Sequence, residues 1–95
     1  MPTIKTIWVN GCFDVLHRGH IELFKYARSL GTKLVVGVDT DSRVKAAKGE
    51  SRPYNSLDDR VHVLHAIRYI DQVVSFDTDK QLEHYIVLCN PAIMV

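Results

Sequence analysis

The sequence predicts an α/β fold with three layers, in which a small parallel sheet is covered by helices on both faces. Apolar, strand-like runs alternate along the chain with stretches of helical periodicity, and the connections between them are short. One run, Lys33–Val38, is apolar nearly throughout, which is typical of a strand buried on both faces. With 95 residues, 46% hydrophobic and 24% charged, the chain has the composition of a single globular domain.

The strands are predicted from β-branched and apolar runs bounded by turn residues. The first run is rich in β-branched residues and ends at Asn10-Gly11, a turn pair. Parallel strands of this kind bind ligands beyond their carboxyl ends, so the segments that follow each strand are the places to look for a site. In chain order the predicted strands are Ile4–Val9, Lys33–Val38, Gln72–Phe76 and Ala92–Val95.

The helices are predicted from apolar residues spaced three and four apart. The first begins at His20 and ends before Gly31, a plausible C-cap. Segment 39–55 is polar and contains glycine and proline, so it is expected to be mostly loop, with a short helix near Ser42–Ala47. Ser56 caps the next helix, which runs to about Ile67. The last helix, Asp79–Cys89, ends at Asn90-Pro91.

Charge, hydropathy and cysteine usage exclude several classes of protein. Twelve basic and 11 acidic residues give a net charge of +1, which removes the electrostatic basis for general nucleic-acid binding. No apolar run is long enough to span a bilayer, and the first residues are not of signal-peptide type. Cys12 and Cys89 lack CxxC spacing, so we expect a reducing, cytoplasmic setting and no membrane partner.

The segment from Asn10 to His20 is the strongest candidate for a binding site. It follows the first strand directly and opens the first helix, where free N–H groups and the helix dipole favour phosphate. We expect Gly11 to let the backbone turn tightly and Gly19 to permit close approach of a ligand. His17 and His20, three residues apart, can converge on one anion. The spacing matches neither a P-loop nor GxGxxG.

These residues resemble the HxGH signature of the nucleotidyltransferase superfamily, which includes the cytidylyltransferases and some aminoacyl-tRNA synthetases. His17–His20 supplies the four-residue signature, and Gly11–Asp14 precedes it at the family's spacing, straight after a strand. The resemblance implies a Rossmann-like domain. It also implies transfer of a nucleotidyl group from ATP or CTP, carried with Mg²⁺, to a phosphorylated acceptor with release of pyrophosphate.

A second segment narrows the resemblance to the nucleotidyltransferases that act on sugar and polyol phosphates. Their members include glycerol-3-phosphate cytidylyltransferase and the heptose-1-phosphate adenylyltransferase domain. The Lys48-Gly49-x-x-Arg52-Pro53 element is closer to the heptose type, which favours ATP. The similarity covers residues 5 to 95. Two anions must meet in such a transfer, so cations and positioned donors are needed to offset their repulsion.

The resemblance assigns roles to individual residues. His17 and His20 would contact the triphosphate and stabilise the transition state, and Lys48 would hold phosphate. Lys45 is the second choice for that lysine and, with Asp14, is expected on the side of the acceptor. The residues expected around the nucleotide are Gly11, Cys12, Phe13, Gly19, Arg60 and Arg68. No protein ligand for a metal is expected, because Mg²⁺ prefers the phosphate oxygens and water.

Other interpretations of these residues are open. Cys12 could be a thiol nucleophile with His17 as its base. Zinc could be held by His62, His65 and His84. The family continues beyond the fourth strand, so we expect one nucleotidyltransferase domain, residues 1–95, that lacks its C-terminal strand and helix. The exposed sheet edge suggests a homo-oligomer, and the lost elements suggest a non-catalytic nucleotide-binding or assembly module as the alternative function.

Overall fold

A computed structural model describes residues 4–95 and confirms the α/β fold. Four parallel strands form one sheet in the order β3-β2-β1-β4, and helices lie between successive strands along the chain. The strands are β1 (Thr6–Gly11), β2 (Lys33–Asp39), β3 (Gln72–Phe76) and β4 (Ile93–Met94). The helices are α1 (Arg18–Ser29), α2 (Asp41–Lys48), α3 (Leu57–His65) and α4 (Asp79–Cys89).

Several element bounds differ from the sequence-based expectation. The short helix expected near Ser42–Ala47 is α2, which is one residue longer at each end and is followed by Gly49, whose φ of 104° suits glycine. Helix α1 begins at Arg18 rather than His20, because the side chain of His17 caps it. The predicted fourth strand shortens to the pairs Ile7–Ile93 and Trp8–Met94.

The main core lies on one face of the sheet. Strand residues of β1 and β2 pack there against α1 and α3, with Phe24, Ala27 and Leu64 fully buried. The opposite face is covered in part by α2 and α4, and Trp8 and Val35 are buried on it. The prediction that Lys33–Val38 is buried on both faces is therefore confirmed for Leu34–Val38. The buried strand residues on the main face are Ile7, Val9, Leu34, Val36 and Val38.

The strand order positions the ligand-binding edge. The chain moves outward from β1 to β2 to β3 and then returns to place β4 on the other side of β1. This reversal puts the topological switch point at the carboxyl end of β1, where open α/β sheets bind ligands. The segments after β1, β2 and β3 all leave from that same edge.

The described helices include none that is long and apolar enough to cross a membrane. Cys12 and Cys89 are half-buried free thiols, and burial raises the pKa of Cys89. The cytoplasmic location and the homo-oligomer expected from the sequence stay predictions.

Candidate functional site

The turn between β1 and α1 holds two histidines in a reciprocal capping box. Nδ1 of His17 accepts a hydrogen bond from the Gly19 N–H at 3.0 Å. Nδ1 of His20 accepts from the His17 N–H at 3.2 Å. Such boxes normally pair Ser or Thr with Glu or Gln, so here two imidazoles take over both roles. The helix start is thus built by the same side chains that the sequence singles out for phosphate.

The capping bonds also fix the tautomer of each ring. A ring nitrogen that accepts a hydrogen bond carries no proton, so a neutral imidazole here is protonated on Nε2. Both rings then keep one N–H donor that the cap does not use. The ring centroids of His17 and His20 are 4.2 Å apart, which places these two donors side by side at the helix N-terminus.

The surroundings of His20 favour its neutral form. Its ring packs edge-on against Phe13, with centroids 5.8 Å apart. Burial lowers the pKa of His20, and the neighbouring His17 lowers it further. Because the ordinary value is 6.5, His20 is neutral at pH 7 and acts there as an Nε2–H donor. Phe13 is buried beneath the turn against Phe24 at 5.3 Å, so it supports the histidines from the core side.

The two glycines of the turn make room for aromatic side chains within the protein. The left-handed residue of the turn is Phe13, with φ of 52°, and not Gly11. Gly11 instead leaves room for the Phe13 ring, since a Cβ there would lie 3.0 Å from Phe13 Cζ. A Cβ at Gly19 would lie 2.7 Å from Cε1 of His17, so Gly19 makes room for that ring. Both requirements come from aromatic side chains within the protein.

Lysine-bearing α2 lies beside the histidine turn at the same edge of the sheet. A pocket of about 400 Å³ separates α2 from the end of β1, and Cys12 and Lys48 both line it. Lys45 is exposed on the same helix. The remaining lining residues are Asp39, Arg43, Val44, Ala46 and Ala47. The structure therefore places Cys12 and Lys48 at one pocket, and their roles toward a nucleotide stay a prediction.

Asp14 faces the protein rather than open space. It is 5% exposed, and its carboxylate accepts from the N–H groups of Tyr54 and Asn55 at 2.8 Å each and from Arg52 Nε at 3.0 Å. Burial opposes the charge, but the Asn55, Tyr54 and Arg52 hydrogen bonds outweigh it and lower the pKa of Asp14. The expected role toward an acceptor would require this carboxylate to leave three donors.

Arg60 is also turned inward. Its side chain is 1% exposed, and Nη2 donates to a carboxylate oxygen of Asp41 at 2.7 Å. Its other donors reach the main-chain oxygens of Cys12, Asp39 and Asn55 at 2.8, 2.7 and 3.1 Å. The guanidinium is thus bound on several sides by the protein itself.

Arg68 lies at the opposite end of the sheet, on the side where the strands begin. It precedes β3, whose first residue pairs with Val35 near the start of β2. Its guanidinium stacks over the Tyr69 ring at 5.1 Å. The length of a strand, roughly 13 Å for five residues, therefore separates Arg68 from the edge that carries His17 and Lys48.

The described residues do not form the arrangement that a zinc site or a thiol nucleophile would require. Within residues 4–95, no three His, Cys, Asp or Glu side chains are grouped so that they could hold a metal ion, and His62 and His65 on α3 are not joined by His84 on α4. Nδ1 of His17 is occupied by the Gly19 N–H rather than by the Cys12 thiol.

Asn55 and Asp41 were not predicted from the sequence to belong to this site. Asn55 donates its main-chain and side-chain N–H groups to Asp14 and accepts from Arg60. Asp41 begins α2 and pairs with Arg60. A buried arginine on a helix implies an acidic partner, but only the fold shows which carboxylate it is.

The site and fold together define an α/β nucleotide-binding class of protein. A helix N-terminus with two imidazole donors and a neighbouring lysine helix lies at the switch point of a parallel sheet. A family model described as cytidylyltransferase-like matches residues 8–95, and the chain belongs to this family. The family expected from the two motifs is confirmed.

Curated relatives and a solved structure agree with this family. The bifunctional protein HldE of Campylobacter concisus (strain 13826) is 47% identical over 91 residues, which are 96% of this chain and 19% of that protein. HldE of Marinomonas sp. (strain MWYL1) is 49% identical over 79 residues, 83% of this chain and 17% of that protein. The chain thus spans less than a fifth of these relatives.

A crystal structure of the lipopolysaccharide core biosynthesis protein from Thermoplasma volcanium GSS1 superposes with a TM-score of 0.85. The match has 25% identity and covers 97% of this chain and 73% of that one.

Proposed function

We propose that this chain is a nucleotidyltransferase domain that moves a nucleoside monophosphate from a nucleoside triphosphate to a phosphorylated sugar or polyol. The observation that carries the proposal is the pair of Nε2–H donors of His17 and His20 at the N-terminus of α1. Lys48 lines the pocket beside the same turn and adds a cation. Membership of the cytidylyltransferase-like family supports this reaction class.

The chemistry needs charge stabilisation and positioning rather than a covalent intermediate. A phosphate oxygen of the acceptor attacks the α-phosphorus of the triphosphate, and the bond to the bridging oxygen of the leaving pyrophosphate breaks. Charge grows on the oxygens of the transferring group and of pyrophosphate. The two imidazole N–H donors, the positive end of the α1 dipole and Lys48 would stabilise that charge.

Mg²⁺ fits this site as a companion of the triphosphate. When bound, it would neutralise part of the phosphate charge. The histidines of the turn are donors, and the carboxylates at this site are already bonded within the protein, Asp14 to three donors and Asp39 to Arg43. The residues present thus suit a metal that arrives on the phosphates with its own waters.

ATP and a heptose phosphate are the substrates we favour. The Lys48-Gly49-x-x-Arg52-Pro53 element resembles the heptose-phosphate adenylyltransferases, and the HldE proteins are among the similar relatives. The solved structure that superposes on this chain is of a lipopolysaccharide core biosynthesis protein, which agrees with a sugar acceptor. CTP and a polyol phosphate are the second choice.

Release of pyrophosphate tests the proposal directly. The protein is incubated with Mg²⁺ and ATP, CTP, GTP or UTP, each with heptose 1-phosphate, glycerol 3-phosphate or related phosphates. We expect release with one pair, and a loss of about 10²-fold or more in kcat for His17→Ala and for His20→Ala, because each removes a positioned donor.

The control is Lys25→Ala, on the exposed side of α1, which should keep the activity of the wild type. Unchanged kcat in both histidine variants would overturn the catalytic assignment. Nucleotide binding by calorimetry without pyrophosphate from any pair would indicate the alternative, a non-catalytic binding module.

A further inference from the structure

Helix α2 carries both lysines of the site but is weakly held by apolar packing. It has eight residues, of which Val44 alone is buried, and its N-cap Thr40 makes no side-chain capping bond. One buried valine contributes about 1.5–3 kcal/mol of apolar burial but does not fix the rotation of a helix about its axis. The direction in which Lys45 and Lys48 extend must therefore be set by polar contacts.

The guanidinium of Arg60 supplies a buried contact at the start of this helix, in addition to the exposed hydrogen bonds of Thr40 and Ser42 to Asp77. It donates to Asp41, the first residue of α2, and to the main-chain oxygens of Asp39 and Cys12. These three acceptors belong to α2, to the end of β2 and to the segment after β1. The N–H donors of the buried guanidinium have fixed directions, so they set the position of α2 relative to β1 and β2.

Asn55 connects this arginine to the histidine turn. Its main-chain oxygen accepts from Arg60 Nε, and its main-chain N–H donates to the Asp14 carboxylate at 2.8 Å. Its side-chain amide donates to the main-chain oxygen of Asp14 at 2.6 Å. Asp14 precedes His17 by three residues, so the main chain completes the connection from α2 to the histidine turn.

The position of Asp41 on the helix makes it the residue that orients the lysines. Asp41, Lys45 and Lys48 are spaced i, i+4 and i+7, which places them on one face of α2. About 200° further round the helix, Arg43 holds the other side through Asp39 and Asp79 at 2.7 Å each. Ion pairs on two sides thus fix the rotation of the helix.

We propose that Arg60 and Asp41 are positioning residues whose ion pair, joined through Asn55 and Asp14 to the histidine turn, holds Lys48 toward the phosphates. The inference rests on the proposed function for the role of Lys48. Arg60 then acts through the lysine helix and has no contact with the nucleotide.

A double-mutant cycle tests this action through Lys48. Asp41→Ala removes the ion pair and keeps a good helix former, while Arg60 retains its main-chain acceptors on Cys12, Asp39 and Asn55. Circular dichroism and urea unfolding of the variant check that it is folded before its activity is compared. We expect Asp41→Ala to lower kcat/KM by about 10-fold or more, because small misplacements of a catalytic group are costly. In the Lys48→Ala background the same change should cost less than about twofold, since the group it positions is gone.

The matched control is Asp58→Ala, because Asp58 occupies the first turn of α3 as Asp41 occupies that of α2. The Asp58→Ala variant also loses a favourable negative charge near a helix N-terminus, and its kcat/KM should stay within about twofold of the wild-type value. Equal losses for Asp41→Ala with and without Lys48 would overturn the positioning role.

Cross-linking measures the position of α2 without any activity. In a Cys89→Ser, Lys48→Cys protein, a short bifunctional thiol reagent can join Cys12 to position 48, because both line one pocket. Adding Asp41→Ala should slow this cross-link several-fold, and an unchanged rate would overturn the inference. If the wild type releases no pyrophosphate, the proposed function fails while the cross-linking rate still decides whether Asp41 positions α2.

Discussion

At the scale of single residues, His17 combines a structural task with a chemical one. Its Nδ1 caps α1, and the same bond leaves its Nε2–H free for a ligand. Gly19 is required beside it because a Cβ would meet the imidazole ring at 2.7 Å. The HxGH spacing is thus explained by the packing of its own side chains as well as by phosphate binding.

Substitution of His17 should separate these two tasks. His17→Asn keeps a good N-cap acceptor but lacks the outer N–H donor, so the free energy of unfolding should stay within about 0.5 kcal/mol of the wild type. His17→Ala should lose about 1 kcal/mol, since the cap is gone. Both variants should lose about 10²-fold in kcat. Urea unfolding and pyrophosphate release measure the two effects. Wild-type kcat in His17→Asn would show that the outer donor is not used.

At the scale of elements, side chains of the two central strands, β1 and β2, are complementary in size. Gly37 of β2 lies under the ring of Trp8 from β1, and a Cβ at this glycine would lie 2.5 Å from Trp8 Cζ2 and 3.1 Å from Phe76 Cε1. The glycine inside an apolar strand is therefore a packing requirement for a large aromatic residue.

Gly37→Ala should lower the free energy of unfolding by about 1–3 kcal/mol through overpacking. Urea unfolding followed by circular dichroism measures this loss. In a Trp8→Phe background the alanine should cost less, because the smaller ring leaves room for the added methyl group. The same cost in both backgrounds would show that contact with Trp8 is not the cause.

At the scale of the whole molecule, long-range polar contacts join segments that apolar packing leaves separate. Asp14 ties the histidine turn to Arg52, Tyr54 and Asn55, which are 38 to 41 residues away in the chain. Such a buried carboxylate with three donors stabilises the folded state as long as it is charged.

Asp14→Asn should therefore lower the free energy of unfolding by about 2–3 kcal/mol at pH 7. The pKa of Asp14 is lowered from its ordinary value of 3.8 by folding, so the unfolded chain takes up the proton first as the pH falls. The contribution of the charge is complete above about pH 5 and is lost as the pH falls through 3.8 toward the folded pKa.

Urea unfolding at pH 7 and at pH 3 compares the two proteins. The exposed Asp58→Asn is the control and should change stability by less than about 0.5 kcal/mol. Equal stability of Asp14→Asn and the wild type at pH 7 would contradict the prediction.

Much of this architecture could be predicted because its signals are local. The buried strand at Leu34–Val38, the capped helix after Ser56 and the break at Asn90 each depend on a few consecutive residues. Periodicity and turn chemistry are fixed within such short segments. The bounds of α2 were predicted to within one residue at each end, but the partners of its residues Arg43 and Asp41 lie outside the helix and were not predicted.

The sequence by itself determined the order of the elements, the family and the place of the histidine turn after the first strand. The tertiary structure alone decided which charged side chains face open space. Arg60 matched the expected pattern of a phosphate ligand, but its partners Asp41 and Cys12 lie 19 and 48 residues away. The burial and pairing of a charged side chain depend on which distant segments pack against it. Residue spacing in the sequence does not show which segments these are.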